Sequence, residues 1–246
     1  QIVDITTTPN PTLMGSVEIQ GYAFGVALSD DGNFAYVAAM DGGLAVVDVS
    51  DPSAPVSIDH CDNSNTGYVS GVAVAGSYVY VADYGNGIYV MDITRPGSPT
   101  LAGSHATAGH AEDVAVSGSY AFVAQHGLGL QIFDISVPTA LSLSGVYDTE
   151  GAALGVAVAG DFAYVAQDSW GLAIIDVSDP SSPTLAGSCD TPRYARGIAV
   201  RGAYAYMGGH DGGFQIVDIS DPSSPILVNT LNSDGYVKCP TISGSY

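Results

Sequence analysis

A four-residue pattern, in which two apolar residues precede an aspartate and an aliphatic residue follows it, recurs six times along the chain. The tetrads lie at residues 2–5, 46–49, 90–93, 132–135, 174–177 and 216–219. Their aspartates are separated by 44, 44, 42, 42 and 42 residues, a period typical of four-stranded propeller blades. The chain is therefore one short unit written about six times, and this repeat constrains the fold more than the function.

Each unit contains four short apolar segments separated by turn residues. In the unit from Gly197 to Asn232, two such segments flank the short turn from Arg201 to Ala203, which is the spacing of a β-hairpin. A loop leads to the segment that carries the tetrad, and a Ser-Asp-Pro-Ser-Ser-Pro turn precedes the fourth segment. Strands this short and evenly spaced, with no helical periodicity between them, predict an all-β fold, a β-propeller of six blades with four antiparallel strands each.

We expect residues 1–246 to form a single β-propeller domain of units about 42 residues long. The chain begins within a third strand, and Tyr246 aligns with Tyr204 at the start of a second strand. A closed six-blade ring would also need the counterparts of residues 205–214. The last blade is thus expected to be incomplete, which indicates a segment of a longer polypeptide. A ring that the N-terminal strands complete, and a ring of seven or more blades, are the alternatives.

The chain is strongly acidic, with 25 Asp and Glu against five Lys and Arg and a formal charge of −20. Such a charge repels nucleic-acid phosphates and anionic lipid surfaces. No apolar run approaches the roughly 18 residues that span a bilayer. We therefore expect neither nucleic acid as a partner nor direct membrane insertion. Abundant Asp with little Lys suits an exported or high-salt protein, because acidic surfaces stay hydrated.

The tetrads, the turns at residues 178–183 and 220–225, and the paired aromatic residues of the second segments resemble the LVIVD repeat family over essentially the whole chain. This resemblance implies β-propeller repeats of bacterial and archaeal cell-surface or exported proteins, often as modules of longer chains. It implies no family-wide catalytic residue. Together with the acidic composition, it favours an extracellular or cell-surface location, with the periplasm as the alternative. Met91 and Phe133 depart from the usual tetrad.

The copies stop agreeing at two positions that the predicted topology places on one face, the top face. Residues that pack between blades must be similar in every copy, whereas residues that contact a ligand need not be. Variation at these positions therefore indicates a candidate ligand site. Solvent-exposed positions that merely drift would vary in the same way. The residue before each inner strand is Phe24, Ser70, Glu112, Leu154, Arg196 or Lys238, and the loop residue after the second strand is Met40, Tyr84, His126, Asp168 or His210.

A cationic cluster is the first candidate site. Arg193, Arg196 and Lys238 are three of the five basic residues, and they fall on the top face of two adjacent units near His210 and Asp211. Charge-assisted hydrogen bonds from such a cluster could hold a carboxylate or phosphate group. Neutralisation of neighbouring aspartates is the alternative explanation.

A single divalent metal is the second candidate ligand. His110 and Glu112 are two residues apart, so they point the same way on an extended segment, and His126 of the same unit could join them. A hydrogen-bonded surface histidine pair is the alternative. Although 22 of the 25 acids are Asp, no Asp-x-Asp-x-Asp-Gly loop is present, which leaves the loop from Cys61 to Asn65 as a surface calcium candidate. No other cofactor is expected.

An aromatic platform is the third candidate. Trp170, Tyr84 and Phe24 on the top face, with the tyrosines that precede inner strands, could bind sugar or peptide, although core packing explains some of them equally well. These tyrosines are Tyr22, Tyr68, Tyr194 and Tyr236.

The sequence has no nucleophile elbow, zinc-protease motif or phosphate-binding glycine loop, so an enzyme is not the expected function, although a propeller can host one. We interpret the chain as an exported or cell-surface scaffold or binding module for protein or glycan. A metal-dependent hydrolase or lyase, and a structural subunit that self-assembles through exposed blade edges, are the alternatives.

Overall fold

The computed structural model describes residues 1–6, 10–61, 68–191, 194–209, 213–232 and 237. Within these ranges the chain forms 22 β-strands, arranged as five four-stranded antiparallel sheets and one two-stranded sheet. None of the described segments is a helix long and apolar enough to cross a membrane. The strands are β1 (Ile2–Asp4), β2 (Thr12–Gly15), β3 (Gly25–Leu28), β4 (Phe34–Ala38), β5 (Leu44–Asp48), β6 (Val56–Cys61), β7 (Val69–Ala75), β8 (Tyr78–Asp83), β9 (Gly87–Asp92), β10 (Thr100–His105), β11 (Asp113–Ser117), β12 (Tyr120–Ala124), β13 (Leu130–Asp134), β14 (Ser142–Tyr147), β15 (Gly155–Ala159), β16 (Phe162–Ala166), β17 (Leu172–Asp176), β18 (Thr184–Cys189), β19 (Ala195–Arg201), β20 (Tyr204–Gly209), β21 (Gly213–Asp218) and β22 (Ile226–Asn232).

The β-propeller is confirmed, but the prediction of six four-stranded blades is wrong, because the described strands form five. Blades 1 to 5 are β3–β6, β7–β10, β11–β14, β15–β18 and β19–β22, and in each blade the strands lie side by side in chain order. The first tetrad belongs to the two-stranded N-terminal sheet, β1–β2. A tetrad marks only the third strand of a unit, so six tetrads do not require six complete sheets. Residues 238–246, which align with an inner strand, lie outside the described residues.

Neighbouring blades pack through the alternating faces of their second strands. In β12, Ala121 and Val123 pack on blade 2, whereas Phe122 and Ala124 pack on blade 4. All four side chains are buried, with at most 3% exposure. Each second strand therefore presents a small face to the preceding blade and an aromatic face to the following one, and the core is a series of such layers between blades.

Inner strands of successive blades approach so closely that some of their positions require glycine. A Cβ atom on Gly155 would lie 2.3 Å from the carbonyl oxygen of Arg196 in blade 5. A contact this short between a side chain and backbone is sterically forbidden, so any larger residue would push the inner strands apart. Neighbouring blades therefore come into close backbone contact along their inner strands.

The tetrad aspartate ends each third strand and closes a turn with its carboxylate. In blade 1, Oδ1 of Asp48 accepts hydrogen bonds from the backbone N–H of Ser50 at 2.9 Å and from its hydroxyl at 2.6 Å. These bonds hold the pKa of Asp48 below its ordinary value. The backbone bond recurs at Asp4, Asp92, Asp134, Asp176 and Asp218. The most conspicuous acids of the sequence therefore form turns.

Candidate functional site

A cavity of about 470 Å³, which we call the top-face cavity, opens where the inner strands begin. Nine of its ten lining residues occupy the two positions at which the copies differ, and Tyr68 is the tenth. The lining residues are Phe24, Met40, Tyr68, Ser70, Tyr84, Glu112, His126, Leu154, Asp168 and Arg196. The variation between copies is therefore concentrated around one cavity.

Three lining residues have left-handed backbone conformations, and each ties its own blade to the following one. The φ angles are 50° at Met40, 42° at His126 and 49° at Asp168. The N–H and carbonyl of His126 each pair with the backbone of Ala153 in blade 4 at 2.9 Å. Met40 pairs in the same way with Val69, and Asp168 with Ala195. These paired hydrogen bonds fix the loop residue whose side chain lines the cavity.

A glycine three residues after the left-handed position completes the loop in blade 4. Gly171 has a φ of 76°, and a Cβ atom there would lie 2.4 Å from the carbonyl oxygen of Cys189. Its own carbonyl accepts a hydrogen bond from the N–H of Gln167 at 2.8 Å. Because only glycine fits this position without strain, the repeat keeps it while Asp168 nearby is free to differ from its counterparts.

Three side chains from blades 1, 3 and 5 meet across the cavity. Nη2 of Arg196 lies 3.6 Å from Oε2 of Glu112, which is 8% exposed. The guanidinium carbon of Arg196 also lies 5.3 Å from the centre of the Phe24 ring. Burial raises the pKa of Glu112, and the positive charge of Arg196 opposes that rise. Much of the positive charge of Arg196 therefore compensates Glu112.

Asp113 lies next to this group and joins blades 3 and 4. Its carboxylate accepts hydrogen bonds from the N–H of Val114 at 2.9 Å and from the N–H of Val156 at 3.1 Å. Burial nevertheless raises the pKa of Asp113 to about 6. Sequence reasoning did not single out Asp113. The signal was its position, since the equivalent residue is glycine in the other four inner strands.

The histidines proposed as metal ligands lie close together in blade 3. Nδ1 of His110 lies 2.9 Å from the carbonyl oxygen of Tyr84, and the two rings stack with centres 3.8 Å apart. The rings of His110 and His126 meet edge to face at 6.0 Å. The described part of the chain contains no group of three His, Cys, Asp or Glu side chains that could hold a metal ion. Metal binding by His110, Glu112 and His126 stays a prediction.

Trp170 lies beside the top-face cavity and does not line it. The side chain is 48% exposed. It lies against Gly151, where a Cβ atom would be 2.6 Å from its ring. Leu128 has the equivalent contact with Gly109 in blade 3. The side chain at this repeat position therefore packs against the loop that precedes the inner strand of the same blade. In blade 4 it also leaves an aromatic face at the rim of the cavity.

The remaining candidates divide into two groups. Arg193, Lys238, His210 and Asp211, and residues 62–65 of the calcium candidate loop, lie outside the described residues. Met40, Leu154 and Asp168 line the cavity although sequence reasoning named them only as variable positions. Ser70 also lines it, but its hydroxyl donates to the carbonyl of Ala111 at 2.7 Å and so joins blades 2 and 3.

A family model described as LVIVD repeat matches the chain at residues 20–63, 66–107, 108–149, 150–191 and 192–233. These five matches coincide with the five four-stranded blades. No curated protein matches the chain.

Several solved structures share the fold at low identity. A functionally unknown protein from Desulfotomaculum acetoxidans is 13% identical with a TM-score of 0.74, over 88% of this chain and 72% of that one. The periplasmic gluconolactonase PpgL of Pseudomonas aeruginosa is 14% identical with a TM-score of 0.75, over 87% and 71%. The β-propeller domain of Cps50 (Swd1) from Myceliophteria thermophila is 12% identical with a TM-score of 0.69, over 90% and 74%. At these identities the similarity concerns the fold alone.

Proposed function

Because the chain belongs to the LVIVD repeat family and its repeats form a β-propeller, we propose that it is a binding module that takes a protein or glycan ligand in the top-face cavity. One observation carries this proposal. The repeats agree where blades pack, and they differ at nine of the ten positions that line the cavity. A pocket that combines aromatic faces with a few polar groups is the usual form of a ligand site.

The chemistry of the lining supports a ligand with both an apolar face and hydrogen-bond donors. Tyr68 is 52% exposed and provides an accessible aromatic ring. No described residue pairs with the carboxylate of Asp168, which leaves an acceptor at the cavity wall. Sugar rings and peptide side chains present this combination. Arg196 is already paired with Glu112, so capture of an anion by Arg196 has less support.

Among the described residues, no observation favours the metal-dependent hydrolase or lyase over binding. Glu112 is buried beside Arg196, an arrangement that also suits a purely structural ion pair. An exported location likewise stays a prediction.

Glycine substitution at the three left-handed positions tests the proposal without disturbing the fold. Removal of left-handed strain returns about 1–2 kcal/mol per residue, and the added freedom of the unfolded chain costs about 0.5–1 kcal/mol. We therefore expect the Met40→Gly, His126→Gly, Asp168→Gly variant to unfold at or above the native denaturant concentration. It should lose binding to the members of immobilised glycan and peptide panels that the native chain retains.

A matched control variant carries three glycine substitutions at the ends of the blades opposite the top-face cavity. Ser77→Gly, Ser119→Gly and Asp161→Gly lie in hairpin turns between first and second strands, and they remove the same number of acidic residues. This variant should keep native binding. Equal binding by all three proteins, or no binding by the native chain to either panel, would reject the top-face cavity as the site.

A further inference from the structure

The flank of blade 1 that faces the N-terminal sheet is uncovered. Val26 in β3 is 62% exposed, whereas the equivalent Val114 in β11 and Val156 in β15 are each 4% exposed. Leu28, two residues further along β3, is 56% exposed. A surface that is buried between blades elsewhere is therefore open here.

A groove of about 810 Å³, the flank groove, lies between the N-terminal sheet and blade 1. The groove wall formed by blade 1 corresponds, in the repeat, to the surface of blade 2 that packs against blade 1. Ala23, Val26, Leu28, Ala35, Val37, Val47 and Val49 line the groove, and they are equivalent in the repeat to Val69, Val72, Val74, Val79, Val81, Met91 and Ile93. The latter residues are covered by Tyr36 and Ala38 of the second strand β4 and by Leu44 and Val46 of the third strand β5. In the groove, Ile2 of β1 takes the place of Val46, so the part of the cover that blade 1 lacks is a second strand.

The backbone on the other side of the groove has the matching open edge. β1 pairs with β2 through Ile2 and Gly15, Val3 and Leu13, and Asp4 and Thr12. In blades 1 to 5 the third strand has a second strand on its other side. None of the described strands occupies that side of β1. An open edge presents unpaired N–H and carbonyl groups that can pair with an added strand.

We propose that the flank groove binds one β-strand of the second-strand type, supplied by a further LVIVD repeat. The strand pairs antiparallel with β1 and places its aromatic face on Val26 and Leu28. The second strands of this chain show the required pattern, as in Phe-Ala-Tyr-Val-Ala of β4 and β16. Five extended residues span about 17 Å. The occupant is inferred from the equivalent interface between blades 1 and 2, in which a second strand covers the same repeat positions. The inference is independent of any ligand of the top-face cavity.

A peptide copied from residues 160–167, which contain β16, is the probe. Fluorescence anisotropy of the labelled peptide against the 246-residue chain should show saturable binding with one peptide per chain. Replacement of the residue equivalent to Tyr164 by Asp in the peptide should weaken binding at least tenfold, since that side chain faces the groove. The chain variants Val26→Asp and Leu28→Asp should each weaken it at least tenfold.

Val228→Asp is the matched control in the chain, because Val228 is 57% exposed on the outer strand β22, away from the groove. This variant should bind the peptide with native affinity, and circular dichroism should show the same β-structure in all variants. No saturable binding, or binding unchanged by both Val26→Asp and Leu28→Asp, would overturn the proposal. So would self-association in sedimentation that Val26→Asp abolishes and the peptide does not inhibit, since a second copy would then cover the flank.

Discussion

The partly buried carboxylate of Asp113 should make the chain less stable as the pH rises through the weakly acidic range. Its pKa is about 6 in the folded chain against an ordinary value of 3.8. Between these values the folded chain retains the proton and the unfolded chain releases it, so the free energy of unfolding falls as the pH increases. A difference of about two pKa units corresponds to about 3 kcal/mol. This contribution is complete below pH 3.8 and is lost as the pH rises through 6.

The Asp113→Asn variant isolates this effect, because asparagine has a similar shape and does not titrate. Urea unfolding of both proteins, followed by circular dichroism between pH 3.5 and 7.5, gives the difference in unfolding free energy at each pH. Relative to the variant, the native chain should lose about 3 kcal/mol over this range. The tetrad aspartates titrate in both proteins and cancel. A constant difference, or one that favours the native chain as the pH rises, would show that the hydrogen bonds from Val114 and Val156 outweigh the cost of burial.

Three further substitutions test the packing that supports the site. Gly171→Ala should lower the unfolding free energy by more than Gly160→Ala, because both have positive φ but only Gly171 faces a carbonyl oxygen at 2.4 Å; the strain common to both is about 1–2 kcal/mol, and denaturant titration measures the difference. Arg196→Met should lower the unfolding free energy by about 1–3 kcal/mol at pH 7, because it leaves the carboxylate of Glu112 without its ion pair. The loss should be smaller at pH 4, where Glu112 is protonated and needs no partner. Equal losses at both pH values would contradict this reasoning. Ile174→Ala should cost about 2–5 kcal/mol in the same titration, since Ile174 is completely buried between blades 4 and 5.

The strands and turns of this chain could be predicted because the same pattern of apolar and turn residues recurs in every repeat. The tetrad aspartate shows how directly the sequence specifies local structure, since Asp48 and its five counterparts make the same hydrogen bond. The number of complete blades could not be predicted from the tetrads. Whether a unit forms a full sheet depends on the strands on both sides of its third strand, and β1 has a described partner on one side only.

The positions that line the cavity could be predicted from their variation, but the contacts among them could not. Phe24, Glu112 and Arg196 are separated by 88 and 84 residues in the sequence, and they meet because their blades face one another across the cavity. Pairing of this kind depends on which side chains are long enough to cross the cavity. The repeat carries no information on it, since each of the three residues occurs once at its position.

The left-handed residues support the proposed binding at the top-face cavity by a second, independent argument. At Met40, His126 and Asp168 the backbone favours glycine, because each non-glycine residue carries about 1–2 kcal/mol of left-handed strain and the freedom of an unfolded glycine costs only about 0.5–1 kcal/mol. Drift under a demand for stability alone would favour glycine at all three positions, as at Gly171 in the same loop. The chain instead holds three chemically different side chains, all at the cavity wall. Strain that is retained at one site in three blades, with a different side chain in each of the three, is the pattern expected where side chains contact a ligand.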